Sequence, residues 1–179
     1  MTARNVAFIE SVLELTGRSV FADASKDAIR VRFMRSGKLD VRVIHLVRDP
    51  RGNVNSIRKN QGRPAREGAK MWRNAHATIE RLAGPQYGAY LRVRYEDLCS
   101  AEEQTLGRIH DFLSLPHAPV PPVFGDSLHV IGNRMRLAPD RVVRADESWR
   151  HQLTSQDLRD IRGVAGPLSA RYGYDLGAD

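Results

Sequence analysis

Residues 45 to 59, HLVRDPRGNVNSIRK, contain the change from a strand to a helix on which the fold depends. The run from 41 to 47 is β-branched and mostly apolar, as expected of a strand that is covered on both faces of a parallel sheet. Asp49 is a good helix N-cap, and Pro50 suits the first helical position. Arg48 is therefore expected at the carboxyl end of a strand, beside the N-terminus of a helix.

This position of Arg48 is typical of an anion site. Ligands of open α/β sheets bind at the carboxyl edge, and the N-terminus of a helix favours anions through its unpaired N–H groups. Arg48 adds a planar, permanently charged fork of donors that suits phosphate. The hydroxyl of Ser56, inside the helix, can donate to a second phosphate oxygen if the Arg48 side chain folds over the same helix face. The alternative is an ordinary strand-to-helix turn whose arginines are merely solvated.

The order of the elements predicts the class of fold. Residues 19 to 22 read as a short strand, about 27 to 36 as a helix, and 41 to 47 as the next strand. This βαβ unit predicts a parallel sheet with a right-handed crossover. We therefore expect an α/β fold in which helices flank a parallel sheet, and the length of 179 residues suits one domain over residues 1–179.

The remaining pattern adds helices and one further strand. Helical spacing of apolar residues marks 3 to 16 and about 64 to 82, and 89 to 95 alternates like a strand. Two capping boxes are expected at later helix starts, formed by Ser100 with Glu103 and by Thr154 with Asp157.

The composition limits the classes of function. Lys and Arg number 28 against 21 Asp and Glu, a net charge of +7, so polyanions or phosphorylated small molecules are plausible partners. The arginines are spread along the chain, and the sequence has neither a lysine-rich block nor a basic run with interleaved aromatic residues. This pattern argues against a nucleic-acid partner. The single cysteine, Cys99, and the absence of zinc spacing predict no metal site.

The sequence has no apolar run of membrane-spanning length, and its polar start lacks the apolar core of a signal peptide. A cytoplasmic location is the expectation that follows.

Taken in order, five motifs resemble those of bacterial and Golgi-type sulfotransferases, and together they extend over nearly the whole chain. They are Asp23-Ala24-Ser25-Lys26, residues 44 to 51 with Ser56, Arg94-Tyr95-Glu96-Asp97-Leu98, residues 129 to 133, and Trp149-Arg150. The resemblance implies a P-loop-like α/β fold, with 3′-phosphoadenosine 5′-phosphosulfate (PAPS) as the sulfuryl donor. It also implies a hydroxyl or amine acceptor on a small molecule, a lipid or a carbohydrate.

The resemblance also assigns roles to residues of this sequence. Arg48 and Ser56 match the pair that holds the 3′-phosphate, and Tyr95 matches a position near the nucleotide. Lys26, in the segment with Asp23 and Ser25, matches the place where a cation neutralises the departing oxygen. Two further segments resemble the loop region that closes over the nucleotide: Gly132, Asn133 and Arg134, and Trp149-Arg150.

Sulfuryl transfer is an in-line displacement in which positioning and electrostatic stabilisation supply most of the rate. It also needs a base to take the proton of the acceptor. Asp23, His45, His76 and His129 are candidates for this base, and the sequence singles out none of them.

The family opens with a strand, a phosphosulfate-binding loop rich in Gly, Ser, Thr and Arg, and a helix. This sequence contains no such segment: its first glycine is Gly17, and no glycine-rich loop follows a strand before it. We therefore expect a sulfotransferase fold that is truncated at its N-terminus. Three explanations for the missing loop stay open: the chain is a fragment or has a misplaced start, a partner supplies the loop, or the activity has been lost. The alternative function is a catalytically inactive module that binds a nucleotide or nucleic acid.

Overall fold

The computed structural model describes residues 2–25, 28–34, 38–119 and 144–177. Within these ranges the chain forms two strands and eight α-helices. They are α1 (Thr2–Thr16), α2 (Ala28–Met34), β1 (Val43–Val47), α3 (Pro50–Gln61), α4 (Ala65–Ala83), β2 (Tyr90–Arg94), α5 (Tyr95–Ser100), α6 (Glu102–Leu113), α7 (Trp149–Gln152) and α8 (Ser155–Arg171). Among the helices of the described ranges, none combines the length and apolar character needed to cross a bilayer.

The two strands pair in parallel, in a register that runs from Val43 opposite Tyr90 to Val47 opposite Arg94. This pairing confirms the predicted α/β class with a parallel sheet. On β1, alternate side chains point to opposite faces, so His45 and Val47 are buried while Ile44 and Leu46 are exposed.

Helices α4 and α8 pack over the face that carries His45 and Val47. Trp72 of α4 is 2% exposed, and Ile161 of α8 is fully buried in the same apolar cluster as Val47. Both halves of the predicted capping box at the start of α8 are formed, between Thr154 and Asp157. The core thus fixes β1, whose last residue precedes Arg48.

Two predicted elements are wrong. Residues 19 to 22 form no strand, because a strand needs a partner for its backbone groups and the sheet within the described residues consists of β1 and β2 alone. Ser100 does not cap α6. It ends α5, where its hydroxyl donates to the Glu96 carbonyl, and α6 begins after Ala101 without a side-chain cap.

Candidate functional site

The carboxyl ends of the two strands bring Arg48 and Tyr95 together. Arg48 follows β1 directly and Tyr95 follows β2, and because the strands are parallel both residues lie at the same edge of the sheet. The guanidinium carbon of Arg48 lies over the Tyr95 ring, 4.7 Å from its centroid. Two of the predicted binding residues therefore meet at one point, in a favourable cation–π contact.

The junction between β1 and α3 is held by Asp49. As predicted, its carboxylate caps the helix, accepting the backbone N–H of Arg51 at 2.8 Å. The Arg51 guanidinium also donates to this carboxylate, at 2.6 Å. The backbone N–H of Asp49 in turn donates to Oε1 of Glu96 at 3.0 Å, which ties the ends of the two strands together.

The main chain and the side chain of Arg48 are both positioned by neighbours. The indole N–H of Trp72 donates to the Arg48 carbonyl at 3.0 Å, linking the site to the core. The side chain passes over the first turn of α3, where a Cβ on Gly52 would lie only 3.0 Å from Nε of Arg48. Glycine at this position therefore leaves the room that the arginine occupies.

One wall of the site is the segment of residues 144 to 152. The hydroxyl of Tyr95 donates to the carbonyl of Arg144 at 2.8 Å. Nη2 of Arg48 donates to the carbonyl of Asp146 at 3.0 Å and contacts its carboxylate at 3.3 Å. Both predicted binding residues are thus in contact with this wall.

Helix α3 anchors the same wall from the other side. The hydroxyl of Ser148 accepts from Nδ2 of Asn55 at 3.1 Å and from Nζ of Lys59 at 3.0 Å. The guanidinium of Arg51 lies over the indole of Trp149, 4.3 Å from the ring centroid. Side chains from three successive turns of α3 therefore hold the wall in place.

These elements enclose a cavity of about 170 Å³. Four arginines, five carboxylates and three aromatic rings line it: Arg48, Arg51, Arg94 and Arg150; Asp49, Glu96, Asp146, Glu147 and Asp175; and Tyr95, Trp149 and Tyr174. Each of the three rings has an arginine guanidinium over it, so the cavity brings together charged donors of the kind that bind phosphate and the carboxylates that pair with them.

Glu96 and Tyr174 close the base of the cavity. The Tyr174 hydroxyl donates to Oε2 of Glu96 at 2.6 Å. Burial, with the nearby Glu96 carboxylate, raises the pKa of Tyr174, so this hydroxyl keeps its proton. The Arg94 guanidinium lies over the Tyr174 ring, 4.4 Å from its centroid.

Ser56 does not share the cavity with Arg48. It is not among the described residues that line the cavity, and its hydroxyl instead contacts Nδ2 of Asn60 at 3.2 Å. Its role beside Arg48 stays a prediction.

The predicted catalytic segment lies apart from the cavity in the described part of the chain. Asp23 and Ser25 are exposed, and the Asp23 carboxylate accepts the backbone N–H of Ser25 at 2.8 Å and pairs with Arg30. Partial burial acts to raise the pKa of Asp23, but the hydrogen bonds from Ser25 and Arg30 outweigh it and lower the pKa. Lys26 lies outside the described residues.

The other predicted positions on the later loop also lie outside the described residues, namely His129, Gly132, Asn133 and Arg134.

Sequence reasoning missed Asp146 and Tyr174 as parts of the site. Asp146 is 98 residues from Arg48, and Tyr174 is 78 residues from Glu96. Only the packed structure shows that Tyr174 reaches the strand ends.

A pair of histidines packs beside the site: His45 is buried on β1, two residues before Val47, and His76 is half-buried on α4. Nδ1 of His45 is 2.6 Å from the Tyr90 hydroxyl, and its Nε2 is 2.6 Å from Nδ1 of His76. Burial, with smaller electrostatic contributions for His45 from His76 and Arg92, lowers the pKa of His45 to about 3. Burial also lowers the pKa of His76 to about 4. Both imidazoles are neutral at pH 7, and both nitrogens of His45 already have partners.

This pair predicts a loss of stability in mild acid. The folded pKa values lie below the ordinary value of 6.5, so the unfolded chain takes up protons first as the pH falls below 6.5. Between about pH 7.5 and about pH 5, the free energy of unfolding should fall by up to about 2 kcal/mol for each histidine. Urea unfolding at the two pH values measures this fall.

The variant His76→Phe should reduce that fall by about half, because one of the two titrating groups is gone. His151→Phe, which replaces an exposed histidine on α7 outside the pair, is the matched control and is unfolded at the same two pH values. An equal fall in the wild type and in His76→Phe would show that the pair does not titrate in this way.

Within the described ranges, no three His, Cys, Asp or Glu side chains come together in a way that could hold a metal ion.

Comparison with known proteins gives a consistent result. Residues 40–119 match the model of the sulfotransferase family. The chain is 25% identical to carbohydrate sulfotransferase 2 of Homo sapiens over 199 aligned positions, which cover 83% of this chain and 37% of the human protein. It is 26% identical to carbohydrate sulfotransferase 2 of Mus musculus, with the same coverage. The chain thus spans little more than a third of the length of these curated relatives, and the matched segment contains Arg48, Ser56 and Tyr95.

Proposed function

We propose that this chain, whose residues 40–119 match the model of the sulfotransferase family, acts in the transfer of a sulfuryl group from PAPS to a hydroxyl or amine acceptor. The observation that carries this proposal is the meeting of Arg48 and Tyr95 at the carboxyl edge of the parallel strands, in one cavity. Both residues lie in the segment that matches the family.

The residues present fit part of a nucleotide. Arg48 offers a phosphate two parallel N–H donors, and its guanidinium is held over the ring of Tyr95, which lines the same cavity. The cavity of about 170 Å³ is smaller than the roughly 300–1,000 Å³ of pockets that enclose drug-sized ligands. In the proposal it receives the 3′-phosphate and the groups next to it rather than the whole donor.

Each predicted residue has a proposed task. Arg48 holds the 3′-phosphate, Ser56 donates to the same group once its hydroxyl leaves Asn60, and Tyr95 lies against the nucleotide. Gly132, Asn133 and Arg134 are proposed to close over it.

PAPS, when bound, supplies an activated sulfuryl group. The task of the protein is then to orient this group toward the acceptor and to place positive charge where negative charge develops. Lys26 is proposed to supply that charge, with Asp23 and Ser25 positioning the segment around it. The Asp23 carboxylate already orders Ser25 through its backbone N–H, which supports the positioning role.

A carbohydrate is the proposed class of acceptor. The support is that both curated relatives are named carbohydrate sulfotransferases.

Two measurements test the proposal. Adenosine 3′,5′-bisphosphate, the nucleotide product, should bind the chain in a calorimetric titration and raise its melting temperature. Radiolabelled PAPS should then transfer its label to one or more members of a panel of mono- and oligosaccharides. Failure of the nucleotide to bind at millimolar concentration would contradict the proposal.

The alternative function gives different results in the same experiments. A catalytically inactive module binds the nucleotide but transfers no label to any acceptor. A nucleic-acid-binding module binds oligonucleotides with an affinity that falls steeply with salt and does not depend on Arg48.

A further inference from the structure

Two of the arginines that line the cavity are fixed by the fold. Arg51 donates to the Asp49 carboxylate at 2.6 Å. The side chain of Asp49 is only 12% exposed, and it also caps α3. Arg94 is stacked on Tyr174, with its Nε buried. Turning either guanidinium toward a ligand would break contacts on which the strand ends depend.

Arg48 differs from Arg51 and Arg94, because the carboxylate with which it pairs is exposed. Nη2 of Arg48 contacts the Asp146 carboxylate at 3.3 Å, and that side chain is 48% exposed. Asp146 lies in a stretch without helix or strand, residues 144 to 147. Exposed ion pairs contribute only about 0–1 kcal/mol, so this partner can be exchanged at little cost.

Hydrogen bonds hold the Asp146 carboxylate in place and keep it ionised. Its Oδ1 accepts the backbone N–H of Ser148 at 3.0 Å. Hydrogen bonding with the Ser148 side chain and then with its backbone N–H, with a smaller contribution from Arg48, outweighs partial burial and lowers the pKa of Asp146. The free protein therefore presents a carboxylate to Arg48 where the proposed function requires a phosphate.

We infer that Asp146 is the resident counter-ion of Arg48, which the 3′-phosphate of the nucleotide must displace and which returns to Arg48 when the nucleotide leaves. This inference rests on the proposed function. A phosphate monoester carries a charge of about −1.5 to −2 and three acceptor oxygens, so it replaces a single carboxylate in the guanidinium fork. Both anions in the fork together would repel each other. Asp146 therefore weakens nucleotide binding and favours release of the product.

The variant Asp146→Asn isolates the charge. Asparagine keeps an oxygen that can accept the Ser148 N–H, so the wall keeps its shape while the counter-ion is lost. The Kd for adenosine 3′,5′-bisphosphate should fall about fivefold, the upper end of what an exposed ion pair contributes. The Kd for adenosine 5′-monophosphate should not change, because this nucleotide lacks the 3′-phosphate that competes with Asp146.

Calorimetric titration of the full chain with both nucleotides measures these values, and a melting curve checks that the variant is folded. Glu67→Gln is the matched control, since Glu67 is an exposed carboxylate that does not line the cavity and is paired with Arg63 rather than with Arg48. It should change the affinity by less than about twofold.

The outcomes separate the two proposals. If the wild type binds adenosine 3′,5′-bisphosphate and Asp146→Asn binds it no more tightly, the inference is wrong and the proposed function stands. An equal gain in Glu67→Gln would also overturn the inference, because a general charge effect would then explain it. If neither the wild type nor Asp146→Asn binds the nucleotide, the proposed function fails and the inference fails with it.

Discussion

Replacing Arg48 with alanine is expected to weaken the binding of adenosine 3′,5′-bisphosphate by about 100-fold, the loss of a strong charge-assisted contact to phosphate. At a nucleotide concentration about 100 times the wild-type Kd, the stabilisation should fall from about 2.7 kcal/mol to about 0.4 kcal/mol. The melting temperature with and without nucleotide measures this difference directly.

The unliganded variant should melt near the wild-type temperature. Arg48 is 22% exposed, and its pair with Asp146 is exposed on the Asp146 side, so the loss of this pair costs at most about 1 kcal/mol. Arg63→Ala is the matched control, because Arg63 is exposed and pairs with Glu67 outside the cavity. A full nucleotide-induced shift in Arg48→Ala would show that the phosphate binds elsewhere.

The junction at Arg48 could be predicted because its signals are local. A β-branched run, an Asp-Pro pair and the apolar spacing after it are all contained in residues 41 to 61, and each has a direct effect on the backbone. The structure confirms β1, the Asp49 cap and α3. The capping box of α8 is a local signal of the same kind, and it too is confirmed.

The strand predicted for residues 19 to 22 shows the limit of local signals. Val20 and Phe21 favour an extended backbone, yet a strand exists only where another strand offers partners for its N–H and C=O groups. Ser100 shows a different limit, since α5 follows β2 without a gap and takes this serine as its last residue. A good capping residue was therefore already used by the preceding helix.

The contacts that shape the cavity could not be predicted, because they join residues far apart in sequence. Asp146 meets Arg48 because the segment around it is held in place by distant residues, for example by the hydrogen bond between Ser148 and Asn55 of α3. Glu96 gives a further example. The arginines nearest to it in sequence are Arg92 and Arg94. Its carboxylate instead accepts hydrogen bonds from the backbone N–H of Asp49 and from the hydroxyl of Tyr174. The recognised motif therefore contributes both Tyr95, which lines the cavity and is proposed to lie against the nucleotide, and Glu96, which joins the strand ends.

The core and the site are joined through Trp72, which leads to the second large expected effect. Trp72 is 2% exposed, packs edge-on against His76 with centroids 4.6 Å apart, and donates its indole N–H to the Arg48 carbonyl. Trp72→Ala should lower the free energy of unfolding by about 3–5 kcal/mol, because it leaves a large cavity beneath β1. This is a large part of the roughly 5–15 kcal/mol that stabilises a typical domain.

Trp72→Phe distinguishes the packing of the ring from its hydrogen bond. Phenylalanine keeps an aromatic ring in the core but has no N–H, so the Arg48 carbonyl loses its donor at a cost of about 1–3 kcal/mol. Met71→Ala, at the neighbouring and exposed position of α4, is the matched control and should change stability by less than about 0.5 kcal/mol. Urea unfolding of the three variants measures these differences. If Trp72→Ala were as stable as Met71→Ala, then the ring would not fill the core beneath β1, and the link from the core to Arg48 would not hold.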